Sequence, residues 1–490
     1  MPTIEEPVRN PTWMADIRFF FTPEDVNHMG RLGIPLDTYA AVKANAIRVL
    51  GVTEPPDASM PPGARDKWSQ AKWDTFKNWI VNGYPFGTAV AQPFALFEAA
   101  AAAGRVRKDA STLGADEIGR LRTAFEGLMA LPPDDPNSYF TQAGIHWLPG
   151  RLPGPTFFCL HHENRYNPWH RQYLINFEDA LRSVPGCADV TLPYWDITSP
   201  VPAFLYEPPF DRYVLPRGIG GGFDAGYVTS RYTPAKIAAN VASYGIPGQI
   251  ADALTRSVWS QFNSVIIRAH DNGHVSTGET MAQQDVAAFD PIFWFFHCNL
   301  DRLWWKWQQA VGGTTLDGFL STVKGSTDWL KTPPFNSLPP FPQTAAQTID
   351  LSAYDVGYEH PAAEGLPAAL PEGAGSLPAA ELTGLRATGT ASVRVKGIDR
   401  LNIPGSFTVE LQADGATVAR QAFFQARNPR TCTACVKQGI VDIDLETGLD
   451  ELREVPLQVV IRPEWPDALG RRFPLSSAGD PTVNIRLLLR

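Results

Sequence analysis

The chain has 490 residues, 44% of them hydrophobic, with a formal net charge of −9 and a sequence pI near 5.5. At roughly 150 residues per domain, this length allows about three domains. The acidic balance, without a basic stripe, argues against nucleic-acid binding. No apolar run approaches the roughly 18–20 residues that a membrane-spanning helix needs, and no apolar export signal follows Met1. We therefore expect a cytoplasmic protein without membrane or nucleic-acid partners, although a processed secreted form would look the same.

Residues 1–130 are predicted to be mainly helical. Apolar residues within 118–128 recur at helical spacing after an acidic start at Asp116, which suits a helix N-terminus. Segments 66–81 and 91–104 show similar patterns and predict two further helices.

A first group of histidines follows this helical region. Its members are His146, His161 and His170. Asn167 followed by Pro168 is typical of a helix N-cap and first helical residue, which places His170 in the first turn of a helix. One histidine alone is usually a core or capping residue, but three so close together favour metal binding. Cys159, two residues before His161, is either a further ligand or a small buried side chain.

Residues 199–234 are rich in proline, glycine and aromatic side chains and predict a long loop. The glycine run at 218–222 lacks the lysine and hydroxyl residue of a phosphate-binding loop. We interpret it as a surface loop near a site rather than as a nucleotide cradle.

A second group of histidines begins thirty-odd residues later. Its members are His270, His274 and His297. The first two are four residues apart and share one helix face, the spacing that lets two imidazoles bind one ion. Asp271 between them can orient an imidazole or a bound water. Asp290 and Pro291 predict the start of another helix, which carries His297 and a local ion pair of Asp301 with Arg302.

Two sets of three histidines predict a pair of metal ions that face each other. Neutral imidazole suits copper, iron, nickel and zinc. The glutamate of the zinc-protease motif H-E-x-x-H is absent between His270 and His274, so the pair alone is a weak signal. The second triad makes the prediction strong.

The C-terminal part of the chain has a different sequence pattern. Residues 361–385 repeat proline, alanine, glycine and glutamate without periodicity and predict a linker. Six short alternating runs follow and predict a strand-rich domain over 386–490 with the architecture of a sandwich. These runs are Ser392–Val395, Phe407–Leu411, Thr417–Phe424, Ile440–Leu445, Leu457–Ile461 and Val483–Leu489.

With these motifs the chain resembles the type 3 copper proteins, the family of tyrosinases, catechol oxidases and haemocyanins. The resemblance covers residues 8–360. Beyond the histidine motifs, Val356–His360 resembles the tyrosine-containing segment that closes the family's catalytic domain, with His360 where a second tyrosine is usual. Arg9 resembles the N-terminal arginine that packs against that segment. The motifs that carry the resemblance are Gly-Ile-His146, Cys159-x-His161, Pro-Trp-His170-Arg, His270-x-x-x-His274 and Asp290-Pro-Ile-Phe-Trp-x-x-His297-x-Asn-Leu-Asp-Arg.

The resemblance implies a mainly α catalytic domain over residues 1–360, in which a four-helix bundle holds a dicopper centre. A smaller β-sandwich-like domain over 386–490 would follow and could cover the active-site entrance. The implied cofactors are two copper ions, with O₂ as co-substrate. Copper A would be bound by His146, His161 and His170, and copper B by His270, His274 and His297.

The resemblance also implies roles for the cysteines. Cys159 matches the cysteine that some members join to the middle histidine, here His161, by a thioether bond. Cys432 and Cys435 resemble the CxxC that some fungal proenzymes use during copper loading. A disulfide or half of a zinc site is the alternative for this pair.

Three residues carry hypotheses about catalysis. In the family, hydroxylation of monophenols is linked to a glutamate-held water beside the residue that follows the first copper B histidine. That residue is Asp271 here, and Gln261 stands near the expected position of the glutamate, where it can hold a water but carries no charge. Gln284 is assigned to the gate position over copper A.

Three functions remain open after these observations. The first is a tyrosinase that converts monophenols to o-diphenols and these to o-quinones. The second is an oxidase of o-diphenols or o-aminophenols alone, and the third is a haemocyanin-like oxygen carrier. Because carriers of this family usually repeat such units or assemble massively, a single copy favours an enzyme that acts on small phenols. A homo-oligomer is left open.

Overall fold

The structure is a computed structural model that describes most of the chain. No helix among the described residues is long and apolar enough to cross a membrane. The described residues are 6–13, 16–21, 25, 28–29, 34, 36, 39–56, 58–60, 67–85, 104–147, 160–359, 390–431, 433–448, 456–465 and 470–488.

The chain divides into two compact units. The first comprises residues 1–101 and 149–156, and the second comprises residues 102–148 and 157–490. The predicted linker, 361–385, lies outside the described residues, so the predicted domain boundaries stay a prediction.

The first unit contains α1 (Tyr39–Val52) and α2 (Gln70–Val81). Helix α2 confirms the helix predicted over 66–81, and the Ser69 side chain caps it by accepting a hydrogen bond from the Lys72 N–H. The core of this unit is rich in aromatic rings, with Trp79 fully buried at its centre. The helix predicted over 91–104 lies outside the described residues up to residue 103.

The second unit contains a helical part. The longest helices here are α3, α5, α8 and α9, in agreement with the predicted four-helix core. The helices of this part are α3 (Ala115–Ala130), α4 (Tyr139–Gly144), α5 (Tyr166–Ser183), α6 (Pro234–Ser243), α7 (Ile246–Thr255), α8 (Trp259–Thr277), α9 (Ile292–Ala310), α10 (Leu316–Thr322) and α11 (Asp328–Lys331). The pattern within 118–128 is confirmed by α3, whose apolar side packs against α5.

Helices α8 and α9 are embedded in protein along the stretches that carry histidines. Every residue from Ala269 to Thr277 and from Ile292 to Trp304 is buried. Gly278 ends α8 with a φ of 78°, a backbone conformation that favours glycine. A Cβ at this position would also collide with the ring of Tyr232. The two helices can therefore present polar side chains to an interior that water does not reach.

The predicted start of α5 is displaced. The helix begins at Tyr166, one residue before Asn167, so Asn167 lies inside it and donates to Asn263 Oδ1 at 3.0 Å instead of capping. Pro168 is tolerated because the first turn of a helix has N–H groups without partners inside the helix. His170 therefore stands in the second turn of α5.

Two ionic contacts differ from the sequence expectation. Asp301 does not pair with Arg302; its Oδ1 lies 2.6 Å from Arg171 Nε, and its Oδ2 lies 3.2 Å from Arg107 Nη1. Arg302 instead lies 3.8 Å from Asp196. All three members of the Asp301 cluster are buried, and removing one partner from such a cluster typically costs about 3–5 kcal/mol.

Arg107 packs against Tyr358. Arg107 donates from Nη1 to the Tyr358 hydroxyl at 3.0 Å, and its guanidinium lies 5.7 Å from the ring centre. Arg9 belongs to the first compact unit, so the packing predicted for it stays a prediction. Strand β1 (Arg105–Arg107) brings Arg107 there by pairing in parallel with β4 (Val356–Tyr358).

The C-terminal part of the second unit consists of two three-stranded antiparallel sheets, with orders β10-β5-β8 and β7-β6-β9. All six predicted strands are confirmed. They are β5 (Thr390–Asp399), β6 (Phe407–Ala413), β7 (Ala416–Phe423), β8 (Ile440–Gly448), β9 (Leu457–Pro463) and β10 (Thr482–Leu488). One apolar cluster is built from residues of both sheets, including Val395, Val409 and Ile461, so the sheets share a core. We call residues 390–488 the C-terminal β domain.

The remaining elements are short. Strand β2 (Ser337–Leu338) pairs with β3 (Phe341–Thr344), and α12 (Thr433–Lys437) lies within the C-terminal β domain. Residues 207–233 contain isolated bridges but no helix or longer strand, as the predicted loop requires.

Candidate metal centre

The second histidine triad lies on two long helices. His270 and His274 lie one turn apart on α8, and His297 lies on α9. The Nε2 atoms of His274 and His297 are 3.1 Å apart, and the ring centres of His270 and His297 are 5.2 Å apart. All three side chains are fully or almost fully buried. The i, i+4 pair predicted from the sequence therefore converges with a third imidazole from another helix.

The first triad is assembled from three different segments. His170 lies on α5, His146 follows the short helix α4, and His161 precedes α5. The ring centre of His146 is 5.1 Å from that of His161 and 6.0 Å from that of His170. Burial is complete for His146 and almost complete for the other two.

The two triads face each other. The rings of His170 and His297 stack at 4.6 Å with an interplanar angle of 12°. The ring centres of His161 and His270 are 5.2 Å apart. Imidazoles of one triad thus lie directly against imidazoles of the other, which is the arrangement expected for two adjacent ions.

Hydrogen bonds at Nδ1 orient three of the six imidazoles. His270 Nδ1 lies 2.8 Å from Asp271 Oδ1, and His274 Nδ1 lies 2.8 Å from the Met281 carbonyl oxygen. His170 Nδ1 lies 2.8 Å from the Tyr166 carbonyl oxygen. Because these oxygens accept from an Nδ1–H, the neutral ring keeps its Nε2 lone pair for a metal ion.

The chemistry of the donor set fits two metal ions. The Nε2 atoms of four triad histidines are buried without a hydrogen-bond partner in the described structure; they belong to His146, His161, His170 and His270. In each triad, one ligand atom per histidine lies within 4.8 Å of the others. Burial lowers the pKa of every triad histidine, to about 3 for His170, so the rings are neutral and able to act as ligands. A buried nitrogen without a partner is costly, and a metal ion would satisfy it.

Asp271 lies beside the His270 imidazole, where the sequence predicts a carboxylate that orients this ring. One oxygen contacts His270, as described, and Oδ2 accepts from the Phe424 N–H at 3.2 Å. His162 Nε2 lies 3.4 Å from the same Oδ2. Burial raises the pKa of Asp271 to about 6.

The structure does not bring Gln261 to the metal centre. Gln261 is exposed near the beginning of α8, nine residues before His270. Ten residues separate Gln261 from Asp271, which is a little under three helical turns. The water-holding role assigned to Gln261 stays a prediction. Asn263 is the buried polar residue on the inner side, and it is engaged with Asn167.

The other two predicted residues have different outcomes. Gln284 is buried, and its main chain lies against the His146 imidazole, so it neighbours the first triad. Its gating role stays a prediction. Cys159 lies outside the described residues, so the thioether bond to His161 stays a prediction. Cys435 is disulfide-bonded, which favours the disulfide alternative for that cysteine.

The sequence analysis missed Phe424, which follows strand β7. Its ring stacks on His274 at 3.9 Å with an interplanar angle of 15°, and its centre lies 5.3 Å from that of His161. Phe424 is fully buried. Because it touches one ligand of each triad from a domain more than a hundred residues away, no local pattern in the sequence could have indicated it.

Polar contacts fix the C-terminal β domain next to the triads. Asn272 Oδ1 accepts from the Ala422 N–H at 2.8 Å, and Asp285 Oδ2 accepts from the Arg427 N–H at 2.8 Å. The ring of His162 stacks on that of Phe423 at 4.3 Å. These contacts hold Phe424 from both sides.

Comparison with known proteins agrees with this geometry. The family profile described as the common central domain of tyrosinase matches residues 136–222 and 224–310, which contain all six triad histidines. Haemocyanin G-type, units Oda to Odg, from Enteroctopus dofleini is 28% identical over 330 residues, covering 61% of this chain and 10% of the haemocyanin. A tyrosinase from a Hahella species is 26% identical over 254 residues, covering 42% of this chain and 54% of the tyrosinase.

The chain thus spans a tenth of that haemocyanin and about half of that tyrosinase. Among solved structures, a tyrosinase from Burkholderia thailandensis superposes with a TM-score of 0.58 at 20% identity, over 78% of this chain and 100% of that chain. At this level of identity the likeness shows the fold alone.

Proposed function

We propose that this chain, which belongs to the type 3 copper proteins, is a tyrosinase-type polyphenol oxidase. The proposed reaction inserts one oxygen atom of O₂ into a monophenol, which leaves as the o-quinone by way of the o-diphenol, and releases the other oxygen atom as water. It also oxidises two free o-diphenols to o-quinones for each O₂ reduced to two water molecules. The observation that carries the proposal is the pair of facing triads of buried, neutral imidazoles with unpaired Nε2 atoms.

The six histidines would hold two copper ions, which when bound supply the electron transfer between a phenol and O₂. The protein's own contribution is to fix the ligands and to exclude water. Asp271 orients the His270 ring, and the Met281 and Tyr166 carbonyl oxygens orient His274 and His170. Complete burial removes bulk water, which strengthens electrostatic interactions at the centre.

The proposal includes a covering role for the C-terminal β domain. The Phe424 ring rests on His274 and lies close to His161, where it occupies the approach to both triads. A phenol that reaches the metal ions from this side must displace Phe424. We therefore expect the intact chain to turn over slowly and the uncovered site to turn over faster.

A second candidate, an oxidase of o-diphenols alone, is favoured by one observation. A monophenol must lose a proton whose unperturbed pKa is about 10 before it binds a metal ion, so it needs a base or a held water. Gln261, near the position expected for the water-holding glutamate, is exposed and carries no charge, so it supplies no base. Asp271 already contacts His270 through Oδ1 and the Phe424 N–H through Oδ2, and movement of the C-terminal β domain would release Oδ2 from the Phe424 N–H.

The test is O₂ consumption by the copper-loaded full chain, before and after cleavage within 361–385, with tyrosine and with L-DOPA as substrates. Turnover of both establishes the tyrosinase, and turnover of L-DOPA alone establishes the second candidate. Faster turnover after cleavage supports the covering role. Reversible O₂ binding without turnover in any form would overturn both enzymes in favour of an oxygen carrier. The copper-free protein is the control.

A further inference from the structure

Tyr166 lies between the two triads. It is the first residue of α5, one turn before His170. The centre of its ring is 4.5 Å from that of His170 and 4.9 Å from that of His270. The tyrosine thus touches one imidazole of each proposed metal site.

The hydroxyl of Tyr166 is buried and has no hydrogen-bond partner in the described structure. A buried donor without a partner lowers stability, and native proteins rarely retain one without a reason. Two other buried tyrosines nearby are satisfied: the Tyr173 hydroxyl donates to the Gln142 carbonyl oxygen at 2.7 Å, and the Tyr139 hydroxyl lies 3.3 Å from the Phe289 carbonyl oxygen.

The imidazoles beside the Tyr166 ring have unpaired nitrogens as well. The Nε2 atoms of His170 and His270, whose rings flank Tyr166, also have no partner in the described structure. A phenylalanine would fill the same apolar space without the cost of the hydroxyl. The unpaired donor is therefore best explained by a ligand that binds beside the two histidines.

We propose that the Tyr166 hydroxyl donates a hydrogen bond to an anionic or oxygen-containing ligand held between the two triads. This inference rests on the proposed function and deepens it, because it assigns a ligand-binding group outside the six histidines. A phenolic hydroxyl donates one hydrogen bond, and acceptors that carry charge form the stronger bonds. The acceptor is either a small ligand derived from O₂ or the oxygen of a phenol.

The test compares Tyr166→Phe with wild type and with Tyr173→Phe, each loaded with copper in the cupric state and checked for two copper ions per chain. Azide represents a small bridging ligand, and benzoate represents the phenol. Both are titrated by absorbance and calorimetry. We expect Tyr166→Phe to bind at least one probe about tenfold more weakly, the loss typical of a hydrogen bond to a charged group. Tyr173→Phe should bind both probes like wild type.

The two probes distinguish the two sources of the acceptor. Weaker azide binding identifies the small ligand, and weaker benzoate binding identifies the phenol. Unchanged affinity for both in Tyr166→Phe overturns the inference while leaving the proposed function intact. A wild-type chain that binds neither copper nor azide overturns both.

Thermal unfolding of the copper-free proteins separates this role from a structural one. Because the Tyr166 hydroxyl is unsatisfied, its removal should not lower the Tm. Removal of the Tyr173 hydroxyl should lower it, since that hydroxyl bonds to a buried carbonyl. A Tyr166→Phe variant with a lower Tm than wild type would show that the hydroxyl has a partner within the protein, which contradicts the inference.

Discussion

The two histidine triads are similar in composition and different in how the chain supports them. All three members of the second triad project from the long buried helices α8 and α9. Only one member of the first triad, His170, lies on a helix; His146 and His161 lie in connecting segments. Among the described residues, an oxygen lies at the Nδ1 atom of two imidazoles of the second triad and of one imidazole of the first triad.

This difference teaches that two equivalent-looking sets of ligands need not be equally preorganised. A ligand held by a helix and a hydrogen bond loses little freedom when a metal ion binds, whereas a ligand in a connecting segment loses more. We therefore expect the second triad to bind its copper ion more tightly than the first.

The largest expected effect comes from removing one ligand of either triad. His161→Ala and His297→Ala should each abolish oxidation and lower the copper content from two ions per chain to one, because each leaves only two imidazoles in one site. Copper content by atomic absorption and O₂ uptake with L-DOPA measure both outcomes. Full activity in either variant would refute the dicopper assignment.

The copper ion that remains in each of these two variants tests the expected difference in affinity between the two triads. His161→Ala should retain the tighter site and His297→Ala the weaker one. Competition with a chelator, run on both variants, measures the two affinities. Equal affinities would show that helix support does not distinguish the triads.

Substitutions of Asp271 address the oriented ligand of the second triad. Asp271→Ala removes the acceptor of His270 and should lower copper affinity or activity about 10–100-fold. Asp271→Asn keeps an oxygen that can accept from His270, so it should lose less. Gln261→Ala is the control on the same helix, and it should behave like wild type because Gln261 is exposed. A loss in Gln261→Ala as large as that in Asp271→Ala would contradict the geometry.

The next effect concerns Phe424, which contacts both triads. Truncation of a buried phenylalanine typically removes about 1.5–3 kcal/mol of apolar stabilisation. In Phe424→Ala, the fraction of molecules whose C-terminal β domain has moved away from the triads should rise about ten- to a hundredfold. The kcat/KM for L-DOPA in the intact chain should rise with that fraction. After cleavage within 361–385 and removal of the released C-terminal part, the variant and wild type should agree. A variant that is slower than wild type before cleavage would refute the covering role.

The smallest effect concerns Asp285, which anchors the C-terminal β domain beside the first triad. Burial raises the pKa of Asp285 from an ordinary 3.8 to about 6. A carboxyl group with a higher pKa in the folded state stabilises the fold fully at pH below about 4, and that contribution is lost as the pH rises through about 6. It amounts to about 3 kcal/mol at most. The Tm of the copper-free protein should therefore fall less between pH 4 and pH 7 in Asp285→Asn than in wild type. An equal fall in both proteins would contradict the raised pKa of Asp285.

The sequence predicts the features of this centre that depend on local spacing. The four-residue interval between His270 and His274 is meaningful on any helix, and the alternating runs after residue 386 can only be satisfied by strands. The candidate ligands and the two kinds of architecture could thus be identified before any coordinates.

Contacts between distant segments could not be predicted in this way. Asp301 has an arginine beside it in the sequence, yet its partners are Arg171 and Arg107, from 130 and 194 residues away. Phe424 is one of many phenylalanines, and its sequence neighbourhood does not indicate that it touches His274. Such pairings follow from how helices and sheets pack, and one sequence holds no record of that.

The two oxygens of Asp271 have a thermodynamic consequence. One lies against the proposed copper ligand His270, and the other accepts from the main chain of the C-terminal β domain. A single carboxylate would therefore take part both in copper binding and in docking of that domain. Linkage is reciprocal for binding free energies. If the copper affinity differs by some factor between the covered and the uncovered chain, the affinity of the C-terminal β domain for the centre must differ by the same factor between the copper-loaded and the empty centre. Metal supply would then set how firmly the chain closes over its own site.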